Sequence, residues 1–353
     1  RYVDGKFNKA VLVEEGTTNL VPNPLAKDNL TGIGYFFSGG SAGIIERSTS
    51  LPSGCPWLTG VKVTITTAGT DANVIFKQTD GSEATTGIPV TAGATYTYSI
   101  WLYIPSESGI TQLQLRPIER NSSGEVVKDS VLVSFNTKGV WQRVVATWTL
   151  QSTTAKVTLR VRANGTGVFY ATACMLEQKP YPTSFIYGIR AAEILTIPGE
   201  VMPDNEGTIT LWARKNNVQG VLYRKILDAK SPRIDWKWDV NGNYSINFGG
   251  ASLSVPDPAQ DTDWHFYAVT YSGRTVKLYF DGLLVASGQA TQDLKSFTTL
   301  YLGTRYALLD GSWNAADATF DDLRISNRAR TDEEIAAAYA SGQPLPVDEY
   351  TTA

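Results

Sequence analysis

Histidine is nearly absent from this chain. His265 is the one histidine among 353 residues, so a metal centre built from several histidines cannot form within one copy. It follows Trp264 inside a β-rich run, where a structural role is the expectation. Cysteine is scarce too: Cys55 and Cys174 are too few for a disulfide scaffold. A single bridge between them is one reading, and two free thiols the favoured one. No apolar run is long enough to span a bilayer, so membrane insertion is not expected. A basic surplus is also missing. Lysine and arginine number 31 against 34 acids, a net charge of −3, which argues against a general nucleic-acid binder. There is no P-loop or Cys-x-x-Cys. Nor do carboxylates alternate closely along any strand-like run, and glycoside cleavage needs two apposed carboxyls. Enzymatic activity is therefore not expected. No leader-like stretch opens the chain, but it starts at Arg1 rather than Met, so this says nothing about export.

What is present points to β-structure. Hydrophobic residues make up 42%, enough for packed cores, and Thr, Ser and Gly are abundant. Strand-like runs occur at 61–66, 73–77, 94–104, 110–118, 140–150 and 155–162. They recur at 207–214, 220–227, 233–240, 243–248, 298–303 and 318–326. Gly, Pro, Asn and Ser clusters separate them, which is the rhythm of sandwiches. The fold class expected is all-β, with two antiparallel β-sandwich (jelly-roll) domains and one short C-terminal helix. That helix is read over 331–339, with Thr331 as cap and Asp332, Glu333 and Glu334 at its N-terminal dipole end. The clearest hairpin lies at 263–282, where Ser272-Gly273 joins two β-rich runs and Asp281-Gly282 makes a second turn.

Some of the wording is specific. Trp264-His265, Ala268-Val269-Thr270-Tyr271 and Leu278-Tyr279 before Asp281-Gly282 resemble the central hairpin of laminin-G-like, concanavalin A-like jelly rolls. Asp321-Asp322-Leu323-Arg324-Ile325-Ser326 resembles that family's closing strand, and Gly5-Lys6-Phe7 with Lys9-Ala10 resembles its opening strand. The expected continuation waits until Arg190-Ala191-Ala192. Residues 1–15 are therefore read as a strand of the C-terminal sandwich at 186–345, interrupted by a module at 16–185; residues 346–353 form a tail. The alternative is an N-terminal arm packed on the first module. That module, opening at Thr17-Thr18-Asn19-Leu20 and closing at Met175-Leu176-Glu177-Gln178, is similar to jelly-roll carbohydrate-binding modules, with residues 180–184 as linker. Both resemblances imply that no cofactor is required and that Ca²⁺ is an optional structural ion. Loop oxygens of Asp204, Asn205 and Asp310 lack a diagnostic spacing for it, and Ala171-Thr172-Ala173 stands where the first family places an acid.

Candidate binding residues follow from strand alternation. In 95–104, Tyr96, Tyr98, Ile100, Leu102 and Ile104 form the core-facing set, which turns Trp101 and Tyr103 outward. The same rule turns out Gln112, Gln114 and Arg116, and then Arg160 and Arg162. If these strands share one sheet, its outer face offers rings, amides and guanidinium groups but no carboxylate. Rings stack on sugar C–H faces, and the polar groups pair with hydroxyls. The arginines would favour carboxylate- or phosphate-bearing polymers. The competing reading has Trp101 and Tyr103 covered by a loop or by the other domain. Trp141 is read as core, as are Trp236 and Trp238. Tyr306 and Trp313, in the Gly/Asp-rich stretch 303–317, are further ligand candidates because loops on a rigid sandwich carry function.

The combination of Val13-Glu14-Glu15-Gly16-Thr17-Thr18-Asn19-Leu20, Met175-Leu176-Glu177-Gln178-Lys179-Pro180-Tyr181-Pro182-Thr183-Ser184-Phe185-Ile186 and Arg190-Ala191-Ala192-Glu193-Ile194-Leu195-Thr196-Ile197-Pro198 resembles tail or receptor-binding proteins of phages and prophages of Gram-positive bacteria. This implies a non-catalytic protein that binds a cell-surface polysaccharide or other glycan, outside the cell or on a virion, as a homo-oligomer (a trimer if a tail component). A structural assembly protein and an accessory module of a secreted glycanase are the alternatives.

Overall fold

The computed structural model describes residues 2–218, 224–306, 315–344 and 347–353. Apolar–polar alternation becomes sheet almost throughout, and the chain divides into two compact units. One comprises Arg1–Gly16 with Ala191–Ala353, the other Thr17–Arg190.

The Thr17–Arg190 unit is a sandwich. Its five-stranded sheet runs, in spatial order, Gln142–Thr149, Thr95–Tyr103, Gly167–Glu177, Gly60–Thr67 and Ala42–Ser48. Its eight-stranded sheet is centred on Lys156–Asn164, flanked by Gln112–Leu115 and Asp71–Phe76, with Ile33–Ser38 beyond the latter. Tyr96, Tyr98, Ile100 and Leu102 of one sheet meet Leu113, Leu115, Leu159 and Val161 of the other in a single buried core. Each such side chain taken fully out of water stabilises the fold by about 1.5–3 kcal/mol.

The unit's two ends are tied together. The Asn19 side chain donates to the carbonyls of Cys174 and Ile186 (3.0 Å each). Its oxygen accepts from the amides of Val21 and Leu176. Residues 180–184, expected as a linker, are instead packed in: Thr183 is buried and bonds to Glu177 through both its amide and its hydroxyl. The cysteines are free thiols.

In the other unit, a seven-stranded sheet runs Tyr2–Asp4, Lys9–Val13, Ala318–Ser326, Glu206–Lys215, His265–Ser272, Thr275–Phe280 and Leu283–Gln289. A six-stranded sheet runs Leu195–Ile197, Leu300–Leu302, Arg224–Ala229, Ile234–Trp238, Asn243–Phe248 and Ala251–Pro256. The hairpin expected at 263–282 forms as read. Gly273, with φ +57°, turns it where an L side chain would be strained. Trp236 and Trp238 point into the core with Ile234, as alternation requires.

The helix Asp332–Ser341 carries a full capping box. The Thr331 hydroxyl accepts from the Glu334 amide, and the Glu334 carboxylate accepts from the Thr331 amide. It ends at Gly342 in the left-handed region. Its Ile335 packs on Trp212, Phe266 and Tyr279, covering the outer side of the seven-stranded sheet. A second helical turn, Glu83–Thr86, buries no residue, so no apolar period marks it in the sequence. The last residues dock on the strand Ala318–Ser326, with Thr351 bridged to Ser326.

Candidate functional site

The nominated residues do not share one face. Trp101 and Tyr103 belong to the five-stranded sheet, whereas Gln112, Gln114, Arg116, Arg160 and Arg162 stand on the eight-stranded sheet at the opposite side of the core. Alternation assigned each side chain outward correctly. The assumption of a common sheet is what fails.

The aromatic face is richer than expected. Trp141, expected in the core, lies one position beyond the pair Gln142–Leu102, on the outer side, with its ring 5.3 Å from that of Tyr103. Tyr170, which sequence reasoning missed, is the register partner of Tyr103 on the next strand, with ring centroids 6.3 Å apart. Its alternation within Gly167–Glu177 was obscured by a bulge between Thr172 and Met175, where Ala173 has φ +50°. Trp141, Tyr103 and Tyr170 thus form a row across three adjacent strands. At ~4.8 Å per strand it spans about 10 Å. Lys62 extends the row and pairs with Glu46 at 3.4 Å. Trp101 stands one pleat away between Thr172 and Arg143, and the Arg143 guanidinium donates to the Ser99 hydroxyl at 2.8 Å.

Segments from outside the sheet frame this surface. The Trp141 indole N–H donates to the Pro52 carbonyl at 3.0 Å, so the connection after Ala42–Ser48 reaches the far edge of the sheet. At the other end, the Thr97 hydroxyl donates to the Lys179 carbonyl. The four rings between are half-buried. Segments outside the sheet thus meet this surface at two of its edges, where the expected covering by a loop applies.

The amide and guanidinium face is already neutralised, contrary to the expectation of a surface without carboxylates. Arg116 grips Asp129 with two nitrogens, at 2.7 and 2.8 Å, and reaches Asp71 with a third at 2.7 Å. Arg160 is buried, doubly paired with Glu83, and lies over the Phe36 ring. Arg162 sits 3.7 Å from Asp71 and donates to the Thr70 carbonyl. Gln114 donates to Gln112 at 2.8 Å. Sequence gave no sign of these acids, which come from a distant strand, a helical turn and a hairpin.

The remaining unit shows its own geometry. Its core is a two-sheet sandwich, entered by Lys9–Val13 through the pairing of Val11 with Phe320. Residues 191–336 match the model of the concanavalin A-like lectin/glucanases superfamily. In this concanavalin A-like stretch, Tyr306 is half-buried, with the guanidinium groups of Arg233 and Arg305 at 5.2 and 5.9 Å from its ring. Trp313 and Asp310 lie outside the described residues. Among those described, no cluster of three or more His, Cys, Asp or Glu side chains could hold a metal ion. Among the described residues, no helix is long and apolar enough to cross a membrane.

No curated protein matches the chain. Solved structures do. The C-terminal family 22 carbohydrate-binding module of Clostridium thermocellum Xyn10B is similar at 11% identity and TM-score 0.34, over 47% of this chain and 94% of that one. The enzymatically active domain of tailspike protein 4 of bacteriophage CBA120 is similar at 13% identity and TM-score 0.35. That match covers 45% of this chain and only 21% of the tailspike chain. A SAP-like pentraxin from Limulus polyphemus is similar at 12% identity and TM-score 0.33, over 43% and 75%. Scores this low carry neither a site nor a ligand from those proteins to this one.

Proposed function

We propose that the chain is a non-catalytic glycan binder that recognises a cell-surface polysaccharide, as part of a phage tail or receptor-binding protein. The observation that carries the binding reading is the row Trp141–Tyr103–Tyr170, joined by Trp101 and flanked by Lys62, Glu46 and Arg143. Half-buried rings set side by side present flat apolar faces to sugar C–H groups, with donors and acceptors alongside for hydroxyls. The carboxylates nearby are engaged, Glu46 with Lys62 and the buried Glu177 with Thr17 and Thr183, which supports binding without cleavage. The arginines that would have selected an anionic polymer face carboxylates of their own, so neutral glycans are the favoured class.

A glycan array tests this reading with wild-type protein, Trp101→Ala and Tyr103→Ala. Loss of one ring should weaken binding about tenfold, ~1.4 kcal/mol, with melting little changed. Unchanged binding in both variants would reject the aromatic row as the site. Release of shorter oligosaccharides from a bound glycan would reject the non-catalytic reading.

A further inference from the structure

The strand Arg224–Ala229 carries a bulge between Lys225 and Leu227 where it pairs with Ile234–Trp238. In a regular strand, residues three apart point to opposite faces. Here Ile226 is the extra residue, and it turns Lys225 and Asp228 to one side, away from the core that takes Leu227, Trp236 and Trp238. Asp235 stands opposite Asp228 in register, so one amine and two carboxylates meet. Lys225 Nζ donates to Asp235 Oδ1 in direct contact and lies 3.9 Å from Asp228 Oδ2. All three side chains are shut away from water, with exposures of 6% for Lys225, 13% for Asp235 and 0% for Asp228.

Asp228 is the anomaly. Among the described residues, neither of its carboxylate oxygens has a hydrogen-bond partner. Arg233 at 3.5 Å supplies charge without a hydrogen bond. Burial pushes this carboxyl up to about 6 against the pull of Lys225 and Arg233, so it can take up and return a proton near neutrality. Burial also lowers the Lys225 ammonium, against the pull of Asp235. Asp235 is kept ionised: burial opposes this, but Lys225 and Lys237 hold its carboxyl below the usual range. Its second oxygen, Oδ2, has Lys237 at 2.8 Å and Arg233 at 3.2 Å. Another buried pair, Lys215 with Asp257, shows the contrast. There Lys215 also donates to the Ala259 carbonyl at 2.6 Å, and Asp257 also accepts from the Ala259 amide at 3.1 Å.

We propose that Lys225 and Asp235 join in an intramolecular amide cross-link, with Asp228 as the acid–base group. The Lys225 ammonium gives a proton to Asp228, and the freed Nζ lone pair attacks Asp235 Cγ, beside the oxygen that Nζ already touches. The Nζ–Cγ bond forms while Lys237 and Arg233 stabilise the negative charge on Oδ2. The Cγ–Oδ1 bond then breaks. Oδ1 leaves as water, taking the proton held by Asp228 and a second one that Asp228 relays from Nζ. One ammonium and one carboxylate become one amide and one water, so atoms and charge balance and no oxidant is needed. No ligand has to enter, and burial is what the reaction requires. Two charges that are costly to hold out of water give way to a neutral group. The new amide N–H supplies the donor that Asp228 lacks.

The test is the intact mass of the folded full chain. The wild type should be one water lighter than its sequence requires. Tandem mass spectrometry of a digest should then find Lys225 and Asp235 in one branched peptide. Lys225→Arg should have the full mass. Asp228→Asn, or Asp228→Ser if the first does not fold, should form the link about a hundredfold more slowly, the lower end of what a general acid–base group contributes. A wild type at its full mass rejects the link, whether or not any variant folds. A missing water that maps elsewhere, such as to a cyclised aspartate, rejects it too. A link formed equally fast in the folded Asp228 variant rejects Asp228 as its acid–base group.

Discussion

The Thr17 hydroxyl donates to the Glu177 carboxylate across 2.8 Å, although 160 positions separate the two residues. The same carboxylate accepts from the Thr183 amide and hydroxyl, and the Asn19 side chain makes four hydrogen bonds, two to the closing strand at Cys174 and Leu176, one to Ile186 and one to Val21. The start and end of the inserted unit are therefore held by side chains rather than by sheet pairing alone.

Asn19→Ala removes both donors and the acceptor at once, leaving buried backbone groups unpaired. At about 1 kcal/mol for each lost bond, the expected destabilisation is about 2–4 kcal/mol. Chemical denaturation should show it as a lower midpoint for the Thr17–Arg190 unit. A midpoint within error of wild type would mean water replaces the amide at no cost.

Residues 9–13 pair with the strand Ala318–Ser326 and cover its edge. A fragment of residues 191–353 would expose that edge and should aggregate or unfold. Adding residues 1–16 back through a short linker should restore a soluble, cooperatively melting protein. A fragment that melts cooperatively alone would show the N-terminal strand to be dispensable.

His265 sits between two acids, with Nδ1 2.8 Å from Asp281 and Nε2 2.9 Å from Asp261. The hydrogen bond to Asp281 leads in raising its pKa above the ordinary 6.5, against partial burial. The folded state thus holds this proton more tightly than the unfolded state. Its contribution to stability is complete below pH 6.5 and is lost as pH rises through the higher folded value. Asp228 and Asp317, both pushed up to about 6 by burial, act in the same direction at lower pH, between about 4 and 6. Melting temperature should fall from pH 6.5 to 8, and His265→Gln should flatten that segment only. An unchanged slope in the variant would remove the histidine as its source.

Thr331→Ala breaks the capping box of Asp332–Ser341. The expected cost is about 1 kcal/mol. Amide exchange should rise in the first turn of the helix, while Ile335 keeps its place against Trp212. Uniformly faster exchange across the seven-stranded sheet would show instead that the helix secures the whole face.

The sequence by itself determined which side of a regular, unbulged strand faces the core. Tyr96 to Leu102, Leu113 and Leu115, and Ile234 to Trp238 all point where a two-residue period puts them, because that period is a local property of the extended chain. The 263–282 hairpin and the Thr331 cap were legible for the same reason: their residues are neighbours. Tertiary structure alone decided which strands became partners. It put Thr95–Tyr103 and Lys156–Asn164 into different sheets, and so split one anticipated surface into two. It brought Asp71, Asp129 and Glu83 to the arginines, set Trp141 and Tyr170 beside Tyr103, and left Asp228 buried without a donor. Such meetings depend on strand order and register across scores of residues, and alternation within a single strand carries no mark of either.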